Sequence, residues 1–301
     1  MVVVVLALVA AACSSESIST DPITAAPTTG ESTMPASTSV STTEPTATTP
    51  STTEPTETTS STTEPTEMVD VKVYFLLGER LVIDHRDVTP PAVLREAIEA
   101  LLDGPGDPTH TTAIPPGTEV HGVNLVDGLA TIDLSGDFET GGGSMMMLAR
   151  IGQVVFTATQ FDNVDSVRFW IDGVAIDFLG GEGIVMTDPW TRAMVPRDLT
   201  GSVLVDTPRP GETVTSPFTV TGEGDVFEGE FVIEIRRGST VLVSVPMIRA
   251  GAWGDWDDFS TSIDVEASPG AIDLVAVDAG GCDPAECGPP AETIVSLMLA
   301  D

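Results

Sequence analysis

The sequence Ser-Thr-Thr-Glu-Pro-Thr occurs at Ser41–Thr46, Ser51–Thr56 and Ser61–Thr66, inside a stretch of almost nothing but Ser, Thr, Pro, Glu and Ala. Such a stretch lacks the apolar surface that would offset the entropy lost on ordering its backbone. Residues 14–68 are therefore expected to form a disordered stalk, biased toward polyproline II by proline and extended by the repulsion of regularly spaced Glu. Roughly 50 residues at about 3.1 Å each give a ceiling near 150 Å, against a coil average of about 40 Å. Ser/Thr density with Pro also suits O-glycosylation. The constraint on folding follows directly: a packed core can begin only near Val69. The roughly 230 residues beyond it suffice for two cores of about 100 residues each.

Ahead of the stalk, Val2–Ala12 is an unbroken apolar run. It spans only about 16 Å as a helix, too little for a hydrocarbon core of roughly 30 Å, and has the length of a signal-peptide core. No Lys or Arg precedes it, which is expected if translation starts upstream of Met1. Val9-Ala-Ala-Ala-Cys13-Ser-Ser resembles the bacterial lipobox, with Ala10 where Leu is usual. The resemblance implies that residues 1–13 are a lipoprotein signal and that Cys13 is lipidated, tethering the chain to the bacterial membrane from outside. A single acyl chain holds weakly, so retention would need the two or three chains of a lipoprotein cysteine. The other reading is a cleaved signal with an incidental cysteine. Of the three cysteines, Cys282 and Cys287 sit in a turn-rich stretch between apolar runs. They are expected to form a disulfide in an oxidising compartment, with two free thiols as the alternative.

Charge removes one class of partner. Twelve Lys+Arg stand against 46 Asp+Glu, a net charge of −34, and Lys72 is the sole lysine. Nucleic-acid binding needs basic side chains that displace counterions, so no nucleic-acid partner is expected. The acidic balance fits solubility first and a cationic partner second.

Residues 69–180 mix strands and helices. Val71–Leu77 and Leu81–Ile83 predict paired strands, and Thr89-Pro-Pro91 an N-cap ahead of a helix carrying Leu94, Ala97, Ile98 and Leu101. Gly104-Pro105 ends that helix. Val123–Leu134 predicts a hairpin turning at Asp127-Gly128, the dipeptide favoured in type I′ turns. Met147, Leu148, Ile151, Val154, Val155 and Ala158 mark one face of a second helix, and Val164–Ile171 a further strand. The expected class is α+β around one sheet. Val73-Tyr-Phe75, Ala100-Leu-Leu-Asp-Gly-Pro105, Ile114-Pro-Pro-Gly-Thr118, Asp127-Gly-Leu-Ala-Thr-Ile-Asp-Leu-Ser135 and Gln153-Val-Val-Phe-Thr-Ala-Thr-Gln160 together resemble the GerMN domain of sporulation and germination lipoproteins.

Residues 181–200 read as a linker. From 201 to 301, seven short apolar runs separated by Gly, Pro and Asp turns predict an all-β sandwich. Val205-Asp-Thr-Pro-Arg-Pro-Gly-Glu-Thr-Val-Thr-Ser-Pro217, Gly222, Val226-Phe-Glu-Gly229 and Trp256-Asp-Asp-Phe259 resemble the immunoglobulin-like domain of bacterial spore germination proteins. The two resemblances imply a non-enzymatic envelope module of assembly or signalling whose partners are envelope proteins, with no catalytic residues to carry over.

Reactive constellations are sparse. His85, His110 and His121 read as surface histidines; Asp84 and His85, adjacent on a strand, point to opposite faces. No nucleophile, zinc, Walker or dinucleotide motif is present, and no cofactor or metal is expected. Asp133–Glu139 reads as an acidic loop before a calcium site, and Asp255, Asp257 and Asp258 as a solvated turn before an oxygen cage. Met145–Met147 read as gap-filling core. Trp253 and Trp256 are the candidate partner-binding residues. They are read first as core and rim; the alternative function, binding of cell-wall polysaccharide, requires one of them exposed in a groove.

Overall fold

The computed structural model describes residues 67–181, 183–281 and 290–301. Cys13, Cys282, Cys287 and residues 1–66 lie outside the described residues, as do the expectations of lipidation, disulfide and stalk that rest on them. Among the described residues no helix is long and apolar enough to cross a membrane.

The first domain opens with β1 (Val69–Leu77) and β2 (Arg80–Val88), antiparallel in a register that sets Lys72 opposite His85 and Tyr74 opposite Ile83. The second strand runs well past the expected Leu81–Ile83. Asp84, His85 and Arg86 have no strand signature, but each finds a charged or carbonyl partner from another segment, so the polar run stays extended. Helix α1 (Val93–Leu102) buries Ala97, Ile98 and Leu101 and ends ahead of Gly104 at φ 87°. Its N-terminus departs from expectation: Ala92 is the capping position and no side chain caps it, Thr89 lying too far back.

Strands β3 (Val120–Val126) and β4 (Leu129–Leu134) form the expected hairpin. Asp127 (φ 48°) and Gly128 (φ 78°) both take the left-handed conformation that a type I′ turn requires. After a 3₁₀ turn at Gly136–Glu139 comes α2 (Ser144–Ala158), and β5 (Ser166–Ile171) then pairs parallel to β4. The turn Asp172-Gly173 leads to β6 (Val174–Ala175), completing a sheet of order β3-β4-β5-β6. Helix α2 is buried on every side from Ala149 to Ala158, where the sequence predicts a single face. Its polar residues are matched to backbone: Arg150 donates to the carbonyls of Thr140 (3.1 Å) and Gly141 (3.0 Å), and Gln153 donates to that of Tyr74 (2.9 Å). The domain is α+β, but β1 and β2 form a sheet of their own, bridged from Leu76 to Thr111, apart from the β3-β4-β5-β6 sheet.

The connection is packed. After the small hairpin of β7 (Phe178–Leu179) and β8 (Ile184–Val185), Met186, Trp190, Val195 and Leu199 enter the first core, Leu199 from the short helix α3 (Arg197–Thr200).

The second domain is a two-sheet, immunoglobulin-like sandwich. One sheet has the order β14 (Asp257–Ile263), β11 (Phe218–Gly224), β9 (Val203–Thr207). The other runs β10 (Thr213–Val214), β16 (Ala291–Leu299), β15 (Gly270–Asp278), β12 (Glu230–Arg237), β13 (Thr240–Arg249). The seven expected strands are joined by β10, too short to register as an apolar run. Val220, Phe231, Ile233, Phe259, Ile263 and Leu274 fill the space between the sheets, with Phe231 edge-on to Phe259 at 4.9 Å.

Two side chains of the second domain belong to the first core. Leu204 of β9 is buried within it, and Trp256 packs against it. Truncating a buried leucine removes contacts and leaves a cavity, at a cost of about 2–5 kcal/mol. Leu204→Ala should lower the unfolding free energy by that amount in a denaturant titration. A loss below about 0.5 kcal/mol would mean that the two cores do not share this residue.

Candidate functional site

The junction gathers Lys72, Arg192 and Arg197, three of the twelve bases in the chain. Lys72 Nζ lies 2.6 Å from Glu223 Oε1 and 2.9 Å from Asp258 Oδ1. The Tyr74 hydroxyl donates to the same Glu223 Oε1, and Arg192 Nη1 pairs with Glu223 Oε2. Arg192 also donates through Nε to Thr159 Oγ1 (2.8 Å) and through Nη2 to the Phe156 carbonyl (3.2 Å), its guanidinium 4.7 Å from the Phe156 ring centre. Gln160 binds the Lys72 backbone twice, accepting its N–H at 2.7 Å and donating to its carbonyl at 2.6 Å. Lys72, Tyr74 and Gln160 come from the first domain, Arg192 from the connection, Glu223 and Asp258 from the second.

Local sequence makes this possible. Lys72 and Tyr74 alternate on the same face of β1. Glu223 stands between glycines on β11, and its neighbour Gly222 has no room for a side chain: a Cβ there would lie 2.2 Å from the Leu204 carbonyl oxygen. The bare backbone lets β9 and β14 close in on both sides.

Glu223 is 2 % exposed. Burial alone would raise its pKa, but the charges of Arg192 and Lys72, with the hydrogen bonds of Lys72 and Tyr74, outweigh burial and hold it below the ordinary range. Burial opposes the Lys72 ammonium as well, and Glu223 and Asp258 outweigh it, so its pKa is raised. The Tyr74 phenol is pushed well up, by burial first and then by the charge of Glu223. Both oxygens of Glu223 are taken by donors. The cluster is a charged bolt, stable as ions on both sides, and offers no free base.

Two more bridges flank it. Arg197 pairs with Asp225 Oδ2 (2.5 Å) and donates to its carbonyl (2.7 Å). His85 lies between Asp70 and Asp206.

Beside the bolt is a cleft of about 500 Å³ lined from both domains, with Lys72, Gln160 and Arg192 among its walls and Asp162, Asp165, Asp255 and Asp257 along it. None of those four aspartates pairs with a basic side chain among the described residues. The two tryptophans part here. Trp256 is half-buried and edge-on to Phe156 at 5.1 Å. Trp253 is 80 % exposed, at φ 61°, edge-on to Phe227 at 5.7 Å. A bulky residue with positive φ persists only where surrounding contacts impose it. They are visible: the next residue, Gly254, donates its N–H to Asp225 Oδ1 (3.1 Å) and packs where a Cβ would lie 2.9 Å from Ala193.

Of the three histidines only His110 departs from the surface reading; His121 is exposed. His110 is buried, with Nδ1 3.1 Å from Asp84 Oδ1; His85 is bridged; His121 lies 3.5 Å from Asp172. Among the described residues, no hydroxyl or thiol is hydrogen-bonded to an imidazole. Asp133 is occupied in accepting the Gly173 N–H, and Met147 is core while Met145 and Met146 are exposed. Sequence reasoning missed Tyr74, Arg192, Glu223 and Asp225. The available signal was an acid between glycines in a strand, together with a lone lysine in an apolar one.

Removing one partner of a buried ion cluster costs about 3–5 kcal/mol, because the remaining charges stay desolvated. Glu223→Ala should show that loss at pH 7, with Glu223→Gln intermediate. The depressed pKa means that the contribution is fully present above about pH 4.3, the unfolded value, and disappears as pH falls through the folded one. Wild-type and Glu223→Gln unfolding curves should therefore converge on acidification; a gap independent of pH would contradict the ionised carboxylate.

No curated protein matches the chain. Among solved structures, it is similar to the first GerMN domain of the sporulation protein GerM from Bacillus subtilis (22% identity over 41% of this chain and 98% of that one, TM-score 0.34). The tandem GerMN domains of the same protein match at 16% identity over 66% and 62%, TM-score 0.37. A protein of Clostridium perfringens provisionally described as a lipoprotein matches at 20% over 43% and 91%, TM-score 0.33. Two family models match, Germane (sporulation and spore germination) over residues 72–177 and Gmad2 (immunoglobulin-like domain of bacterial spore germination) over residues 202–281. The chain carries, in order, a GerMN-type sporulation and spore germination domain and an immunoglobulin-like domain of bacterial spore germination.

Proposed function

We propose that the protein is a non-catalytic envelope adaptor, tethered through a lipidated Cys13, whose two germination-type domains act as one surface for a protein partner in sporulation, germination or envelope signalling. The observation that carries this reading is the cleft shared by both domains, with Trp253 standing out of it. A bare indole on an imposed backbone is costly to maintain as mere surface, and aromatic anchors of this kind dominate recognition surfaces. The buried bolt beneath it makes the surface composite: neither domain alone presents it.

A second reading is supported by the same residue. An exposed indole beside Asp255, Asp257 and Asp162 has the parts of a saccharide subsite, a flat apolar face with carboxylates to accept sugar hydroxyls. The cell-wall polymer then replaces the protein partner.

A photo-crosslinking amino acid at position 253, in intact cells, separates the two. The adaptor reading expects a discrete protein adduct that is missing when the crosslinker sits at Val241, exposed on β13. A polydisperse adduct that collapses on muramidase treatment supports the polysaccharide reading, and no adduct at all removes both. Trp253→Ala should leave the unfolding free energy within about 0.5 kcal/mol of wild type, as for a surface change, while reducing capture by about tenfold or more. For the anchor, globomycin should make an unprocessed precursor accumulate; unaltered maturation would rule out acylation at Cys13.

A further inference from the structure

His85 stands on β2 with a carboxylate at each ring nitrogen. Nδ1 is 2.6 Å from Asp70 Oδ2 on β1, and Nε2 is 2.6 Å from Asp206 Oδ1 on β9, in the other domain. An ionised carboxylate can only accept, and a neutral imidazole has one N–H. Both contacts can be hydrogen bonds only in the doubly protonated ring. The two acids differ in setting: the Asp70 side chain is 59% exposed, that of Asp206 only 11%. Among the described residues His85 is the sole basic partner of Asp206, so a lost proton leaves a poorly hydrated carboxylate facing a lone pair or a single N–H.

We infer that His85 is a proton-operated latch between the two domains, closed as imidazolium and released on deprotonation. Charged groups stand on every neighbouring element. From β1, Asp70 favours the cation and Lys72, directly opposite in register, opposes it, although Lys72 is already committed to Glu223 and Asp258. From β2 itself come Asp84 and Arg86, and from β9 Asp206. A cavity of about 200 Å³ beside the ring is also lined by Asp107 and His110 from the loop after α1 and by Arg209 after β9. The favourable side prevails: the hydrogen bond to Asp206 raises the pKa of His85, burial opposes, and the charge of Asp206 and then Asp70 add to the rise.

The sign follows. A folded-state pKa above the unfolded value of about 6.5 gives a contribution that is complete below pH 6.5 and lost as pH rises through the folded value. Each unit of that rise corresponds to a tenfold coupling between proton and seam. The bolt around Glu223 holds its charges across the same window, since Glu223 is shifted down and Lys72 up. Alkalinisation therefore frees the β2–β9 edge of the seam while the bolt stays closed.

The test is an imidazole ¹⁵N titration of the full chain by NMR, with the His85 signals assigned from His85→Gln. Both ring nitrogens of His85 should be protonated at pH 6 and titrate together above 6.5, and Asp206→Asn should move that pKa down. Protection of Val205–Thr207 amides, corrected for intrinsic exchange, should fall as pH passes the midpoint in wild type and be low and pH-independent in His85→Gln. Titration at or below 6.5, or a pKa unmoved by Asp206→Asn, overturns the latch, and the wild-type titration decides even if a variant fails to fold.

Discussion

One buried carboxylate organises this protein. Glu223 is taken out of water at the junction of two domains, and a charge in that position is tolerable only when its partners and hydrogen bonds are complete. Lys72, Tyr74 and Arg192 complete it from the far side of the seam. In a chain with 12 basic residues against 46 acidic ones, committing the only lysine and an arginine to a single glutamate leaves most of the acidic surface without counter-charge. Each of these bases could find a carboxylate elsewhere, so what selects this pairing is the burial of Glu223 and its filled set of donors, with the apolar contacts of Leu204 and Trp256 beside it. Ion pairs of this kind add specificity of orientation more dependably than they add net stability.

What could be read from the sequence was whatever is decided locally. The Asp127-Gly128 turn, the strand-forming runs of β5 and β12, and the apolar stripe and Gly104 stop of α1 are short-range signals, and the structure has them where they were expected. The departures all come from long-range partners. Asp84, His85 and Arg86 remain in a strand because residues 15 to 121 positions away meet them. Helix α2 is buried on its polar side because the carbonyls of Phe138, Thr140, Gly141 and Tyr74 take up its Arg150 and Gln153. Residues 181–200 read as a linker because they lie between the two domain patterns, yet Trp190 pairs its backbone with Val167 and enters the first core. Of the site, the two tryptophans were legible as residue types, while their separation into a half-buried and an exposed one depended on which of them Phe156 could reach.

The site inherits its shape from the seam. Arg197 fixes Asp225, Asp225 accepts the Gly254 N–H, and Gly254 sits against Ala193 of the connection. These contacts impose the left-handed conformation on Trp253, so the exposed indole at the cleft is held by an ion pair that ties the connection to the second domain. A partner that grips the indole therefore pulls on the same network that joins the two halves. Coupling of this kind runs both ways by thermodynamic necessity: what changes the seam changes the indole's setting, and what binds the indole biases the seam. The seam itself is uneven, permanently charged around Glu223 and protonatable around His85. Its stiffness near β9 can then vary with pH while the cluster beneath the cleft keeps its register, which separates holding the domains together from tuning how tightly they are held.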